Sequence, residues 1–163
     1  MRWASWKLPL IEILKWAMLL LLIGFLVLQM GQGKLSNTAF EEMSAAVTEG
    51  LDLSQMQPAD NQMLKRLYGL DPSVYEGCLL YYPTTNMGAE ELLLVKLSDI
   101  AQQETVETAI QSRLTAQKTS FDGYGIEQME LLEHCVIEVR GNYVLFIVHA
   151  EADAVRQAFV DAL

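Results

Sequence analysis

From Trp16 to Leu28 the chain runs 13 residues without a charge, rich in leucine, and this stretch constrains the molecule more than any other. It lies within Leu10–Met30, 21 residues whose only charges are Glu12 and Lys15. As a helix, 21 residues extend about 31 Å, enough to cross a bilayer core of about 30 Å. Pro9 suits a first helical turn, Glu12 and Lys15 are spaced to pair at i, i+3, and Trp3, Trp6 and Trp16 gather at this end like an interfacial aromatic belt. Nothing else in 163 residues has the surface to cover so apolar a cylinder on every side. The spacing therefore predicts a transmembrane signal anchor over residues 10–30 in contact with the lipid bilayer. A basic cytoplasmic N-terminus (1–9), a linker (31–37) and one domain (38–163) complete the layout. A cleavable signal peptide stays open, because a basic start followed by 13 apolar residues fits that description too. Gly31 and Gly33 supply small residues after the run, but no Ala-x-Ala appears. A lipid anchor on a nearby cysteine is excluded, since none is there.

Charge divides the chain at the same place. Residues 1–33 carry a net +2, so the remaining 130 hold −12 of the total −10. With Arg2, Lys7 and Lys15 ahead of the apolar core, the positive-inside rule puts the N-terminus in the cytoplasm and the acidic domain outside, in the cell membrane's extracytoplasmic space. A balance of −12 repels phosphate backbones, which excludes nucleic acid as a partner. The 52% hydrophobic content excludes an acidic disordered tail, and 130 residues can bury about two-thirds of their unfolded surface.

Thr38 to Glu41 reads as a capping box opening a helix with Phe40, Met43, Val47 and Leu51 on one face. Gln55 to Ala59, with Pro58, reads as a joint. Asp60 caps a second helix carrying Met63, Leu64, Leu67 and Tyr68 inward, stopped by Gly69. Gly77–Tyr82 and Glu91–Leu97 read as strands around a loop, and Ser98 or Asp99 caps a helix in which Val106, Ala109, Ile110 and Leu114 recur at helical spacing. A brief helix turns Ile126, Met129 and Leu132 inward. Cys135–Arg140 and Tyr143–His149 then form a hairpin about Gly141-Asn142. The last helix, from about Ala152, places Val155, Ala158, Phe159, Ala162 and Leu163 on one face. Strand-strand-helix occurs twice, with Glu76-Gly-Cys-Leu-Leu and Glu133-His-Cys-Val-Ile as a faint echo that suggests duplication. The expected fold class is α+β: an antiparallel sheet from two hairpins with helices on one face, after the N-terminal transmembrane helix.

Four stretches together resemble a known bacterial family. They are Leu64-Lys-Arg-Leu-Tyr-Gly-Leu70; Tyr81-Tyr-Pro83 with Asn86-Met87 and Ala89-Glu-Glu-Leu92; Phe121-Asp-Gly-Tyr-Gly125 with Gln128; and Val136-Ile-Glu-Val139 with Gly141-Asn-Tyr-Val144. The family is the one catalogued as domain of unknown function 4358, and the likeness runs from about Glu41 to Leu163. The resemblance implies extracytoplasmic proteins held by a lipid-modified cysteine or an N-terminal helix; it brings no reaction and no ligand. This chain has no N-terminal cysteine, so only the helical anchor carries over.

Chemistry is sparse. Cys78 and Cys135 both open strands in a compartment that permits disulfides, and they pair only if those strands are neighbours; otherwise they are two small apolar thiols. His134 and His149, read as lying near opposite ends of the second hairpin, have no ligand partner at metal spacing, so no metal or other cofactor is expected. Glu90 and Glu91 point to opposite sides of an extended chain and read as solvated, a poor pair for hydrolysis. No catalytic motif emerges and no enzyme is expected; a cell-wall hydrolase would need two titratable groups converging in a cleft. One face invites binding: Arg113 and Gln117, one helical turn apart, lead to Phe121, Tyr124 and Gln128, with Tyr82 and Asn86 nearby. These aromatic and amide groups would suit a peptide or glycan. The competing reading has Phe121 and Tyr124 plugging the core while Gly123 and Gly125 supply positive φ, and Arg113 pairing with an acid. The expected role is a membrane-anchored extracytoplasmic interaction or envelope-associated module with an unidentified envelope partner, its ectodomain monomeric. The alternative is a sensor domain for a small solute or peptide.

Overall fold

The computed structural model describes residues 7–30 and 35–163, and within the first helix it describes side chains from Glu12 to Ile23. The chain divides into two units, Met1–Lys34 and Leu35–Leu163. In the first, a single helix, α1 (Lys7–Met30), carries Pro9 in its opening turn. The expected i, i+3 pair forms, with Lys15 Nζ 2.9 Å from Glu12 Oε1. From Ile13 to Ile23 every large apolar side chain is 43–75% exposed. Among the described residues no helix is long and apolar enough to cross a membrane. The span expected over residues 10–30 runs past the described side chains at both ends. Arg2, Trp3, Trp6, the Lys7 side chain and the candidate cleavage stretch Gly31–Lys34 lie outside the described residues.

The second unit is an α+β domain around one five-stranded antiparallel sheet. Its elements are α2 (Phe40–Thr48), β1 (Met56–Pro58), α3 (Asn61–Tyr68), β2 (Gly77–Pro83), β3 (Glu91–Lys96), α4 (Gln103–Phe121), α5 (Ile126–Glu133), β4 (Val136–Arg140), β5 (Tyr143–Val148) and α6 (Ala152–Asp161). The strand order is β1-β2-β3-β5-β4. The two hairpins thus meet through their second strands, with Leu92 opposite Ile147 and Leu94 opposite Leu145. Gly141, at φ 58°, turns the second hairpin, whose flanking residues Arg140 and Tyr143 are paired. Positive φ at the first turn position only is the II′ pattern, which matches strand twist.

Helices cover both faces of this sheet, which corrects the expectation of helices on one face. Leu93, Val95, Val144, Phe146 and Val148 share a core with Leu64 of α3, Val106, Ile110 and Leu114 of α4, and Leu132 of α5. Leu92, Leu94, Tyr143, Leu145 and Ile147 share the other with Met43 and Val47 of α2 and Val155 and Phe159 of α6. The reason is legible in β3 and β5, which are apolar at successive rather than alternate positions and so must be covered on both sides. The placement also argues against duplication. A two-fold axis normal to the sheet would relate the hairpins and keep their following helices on one face, yet α4 and α6 lie on opposite faces.

Other local readings change. The Gln55–Ala59 joint contains the edge strand β1, with Met56 opposite Pro83 and Pro58 opposite Tyr81. Proline is admissible there because an edge strand has an N–H that need not pair. Thr38 does not form a capping box: Ala39 is the N-cap of α2, with no side-chain cap. Thr38 Oγ1 instead donates to Ala162 O at 2.8 Å, while Tyr143 Oη donates to Thr38 O at 2.8 Å, tying the start of the domain to the end of its last helix and to β5. Asp60 caps α3 as expected, accepting from Met63 N at 2.8 Å, and Asp99 caps a 3-10 turn, Ile100–Gln102, that leads into α4. Ile126 points outward, 83% exposed, in contrast to Leu132.

The cysteines are free. Cys78 is the second residue of β2, whereas Cys135 precedes β4, and β3 and β5 stand between these strands. Three strand spacings amount to about 14 Å, against the roughly 7 Å of Cα separation a disulfide tolerates. Through the paired strands Cys78 is also level with Val139, four residues along from Cys135. The conditional disulfide is thereby excluded in this fold.

Candidate functional site

Glu91 begins β3, and strand alternation gives it the same face as Leu93 and Val95, under α3 and α4. It is fully buried, which overturns its reading as a solvated acid. Isolated, a buried carboxylate would cost several kcal/mol; here it is surrounded by donors. Arg113, on the inner side of α4, forks onto it, with Nη2 to Oε2 at 2.7 Å and Nε to Oε1 at 3.1 Å. One helical turn later Gln117 Nε2 donates to Oε2 at 2.9 Å. Tyr68, the last residue of α3, donates its hydroxyl to Oε1. Burial first, and then the adjacent Glu91 charge, push the Tyr68 hydroxyl well above its usual range, so it stays a neutral donor. Burial alone would lower the Arg113 guanidinium, but the hydrogen bond and charge of Glu91 outweigh it and the net shift is upward.

Above this network lies a cavity of about 310 Å3. Arg66 and Leu67 of α3 form one wall, Tyr82 and Pro83 of β2 with Thr85, Asn86 and Gly88 of the following loop a second, and Arg113, Gln117, Ser120 and Phe121 of α4 the third. Five of the seven expected binding residues, Tyr82, Asn86, Arg113, Gln117 and Phe121, line it together. Tyr124 and Gln128 do not. Tyr124 is 62% exposed rather than a core plug, though its ring still meets Phe121 at a 6.1 Å centroid distance. Gly123 has the expected positive φ of 83°, but Gly125 is at −99°. Gly125 is required for space instead, since a Cβ there would come within 2.7 Å of the Phe121 ring.

Sequence reasoning missed Glu91, Tyr68 and Arg66. The parity of Glu91 with Leu93 and Val95 was the available signal for the first, because a charge in phase with a buried strand face demands a partner. Gln117 is 5% exposed, and among the described residues its buried Oε1 has no hydrogen-bond partner.

A second cavity, of about 510 Å3, brings His134 and His149 together with Glu130 and Asp153. Val136 pairs with Ile147, so these histidines flank the open end of the β4–β5 hairpin rather than lying at opposite ends. His149 Nδ1 accepts from Glu151 N at 3.0 Å. Among the described residues no group of three or more His, Cys, Asp or Glu could hold a metal ion.

Fold and site together define an α+β domain whose helix-covered sheet carries a buried Glu–Arg–Gln–Tyr network beneath an open cavity. The chain belongs to the family described as Domain of unknown function (DUF4358), which matches residues 49–149. That span holds the whole sheet and every residue of the network and its cavity, while α2 and α6 lie outside it. No curated protein and no solved structure matches the chain.

Proposed function

We propose that the chain is a membrane-anchored module that holds its acidic α+β domain outside the membrane and works by binding an envelope partner rather than by catalysis. The observation that carries this reading is the run of 43–75% exposed large apolar side chains from Ile13 to Ile23, far more contiguous apolar surface than a helix in water sustains. Residues flanking that run extend the apolar sequence to about the length of a bilayer core, and Arg2, Lys7 and Lys15 precede its uncharged stretch Trp16–Leu28. The binding reading is supported by how Glu91 is used. Its oxygens are occupied by Arg113, Gln117 and Tyr68, which makes it the structural base of the network.

A second reading, a sensor for a small solute or peptide, is favoured by the cavity at Arg113 and Gln117. Either way the ectodomain is monomeric, since both sheet faces already have their helices. The test is to wash membranes from producing cells at alkaline pH and weigh the retained protein by mass spectrometry. Full-length chain in the pellet supports the anchor. A soluble chain beginning near Lys34 overturns it.

A further inference from the structure

The domain from Leu35 onward carries 20 Asp and Glu against seven Lys and Arg. Acids thus outnumber bases nearly three to one, yet the cavity over Glu91 is lined by two arginines and by no Asp or Glu. One of the two, Arg113, is neutralised from beneath by Glu91 at 2.7 Å. The other is not. Among the described residues of the domain Lys65, Lys96, Arg113, Arg140 and Arg156 stand in ion pairs, whereas Arg66 and Lys118 do not, and of those two only Arg66 lines the cavity. Among the described residues its only side-chain contact in hydrogen-bond range is Nη2 to the Met63 sulfur at 2.9 Å, a weak acceptor. The lining therefore carries one guanidinium with no carboxylate against it, while the Glu90 carboxylate lies beside Gly88 at the cavity's edge.

Size, charge and wall chemistry narrow what fits. A guanidinium grips a carboxylate or a phosphate through two parallel N–H bonds. A single uncompensated guanidinium balances a monoanion, whereas a phosphate dianion would leave surplus negative charge in a domain already at about −13. Gln117 Nε2 is committed to Glu91 and its Oε1 is buried out of reach of solvent, so Gln117 contributes floor to the cavity rather than a hydrogen bond to its occupant. Leu67, Tyr82 and Phe121 add apolar wall. At about 310 Å3 the cavity is at the small end of ligand pockets.

Resting on the binding reading above, we propose that this cavity takes a compact monocarboxylate with an apolar side chain. Arg66 forks the carboxylate, and Phe121 and Tyr82 flank the side chain. An acylated amino acid and the carboxyl terminus of a peptide share this chemistry.

Isothermal titration of the detergent-solubilised full chain tests it with N-acetylphenylalanine, its carboxamide, the peptide Ala-Ala-Phe with a free or an amidated end, and inorganic phosphate. The free acids are expected to bind, amidation to weaken binding at least tenfold, and Arg66→Gln to weaken the acids by a similar factor with the melting temperature unchanged. Tighter binding of the free peptide than of N-acetylphenylalanine assigns a peptide terminus; equal binding assigns a single acylated residue. No binding of either acid, equal affinity for acid and amide, stronger binding of phosphate, or undiminished binding by Arg66→Gln overturns the proposal. Equal binding of acid and amide would leave the binding reading standing and remove only the carboxylate. The membrane anchor is untouched by every one of these results.

Discussion

Arg113 has two duties, since it both lines the cavity and neutralises Glu91, and the second dominates the energetics. Its removal leaves a fully buried carboxylate with only neutral donors, so Arg113→Ala should destabilise the domain by about 3–5 kcal/mol in urea melts. A loss below about 1 kcal/mol would mean that Glu91 is hydrated or protonated without its partner. Converting both Glu91 and Arg113 to apolar residues of similar volume should restore much of the loss. Tyr68 sets a pH dependence. The folded state keeps its hydroxyl protonated well above the ordinary value of 10.0, while the unfolded chain releases the proton there. Its contribution is therefore complete below about pH 10 and is lost as pH rises further. Tyr68→Phe should be less stable than wild type near neutrality by about 1.5–3 kcal/mol, and its alkaline fall should be shallower by up to one proton per molecule. Melts between pH 8 and 11 read both effects. These residues also show where sequence reading stops. Arg113 and Gln117 were legible as one helix face, but the acid they serve is 22 and 26 residues away and became visible only with the strand register.

At the level of elements, nearly every helix and strand was legible, because apolar residues at periods of two and 3.6 mark elements directly. What was not legible is which face each helix covers. An amphipathic helix requires a partner without naming one, and α6 could have joined α4 on the same side. The three residues of β1 are too few to carry a period, and Pro58 masked them. Strand order leads to a chemical prediction. Cys78 and Cys135 remain three strands apart, so protein purified without reductant and then denatured should titrate two thiols per chain. A single disulfide by mass would contradict the order β1-β2-β3-β5-β4. In the native state Cys78 should react slowly with thiol reagents near neutral pH, because burial raises its pKa to about 11. Phe159 locks α6 to the sheet, fully buried and edge-on to Tyr143 at 6.4 Å between centroids. Phe159→Ala should cost about 3–5 kcal/mol while leaving ligand binding by the folded fraction unaltered, since the cavity is on the opposite face.

For the whole molecule, two units of unlike chemistry would divide the work: an apolar helix that would seek lipid, and an acidic domain of which α1 forms no part. The charge split and the uncharged run from Trp16 to Leu28 were legible at once, because composition over a segment of 20 residues is a strong signal in itself. The cavity was legible only in part. Its helix and loop residues sit at spacings a reader can find, whereas Arg66 is one exposed cation on a short helix with nothing local to distinguish it. The proposal that the domain faces outward rests on orientation, so it is tested most directly by adding protease to intact spheroplasts producing the full chain. The domain should be degraded and a small fragment containing residues 10–30 should remain in the membrane, with no further loss on lysis. A domain that survives until the cells are broken would contradict the account.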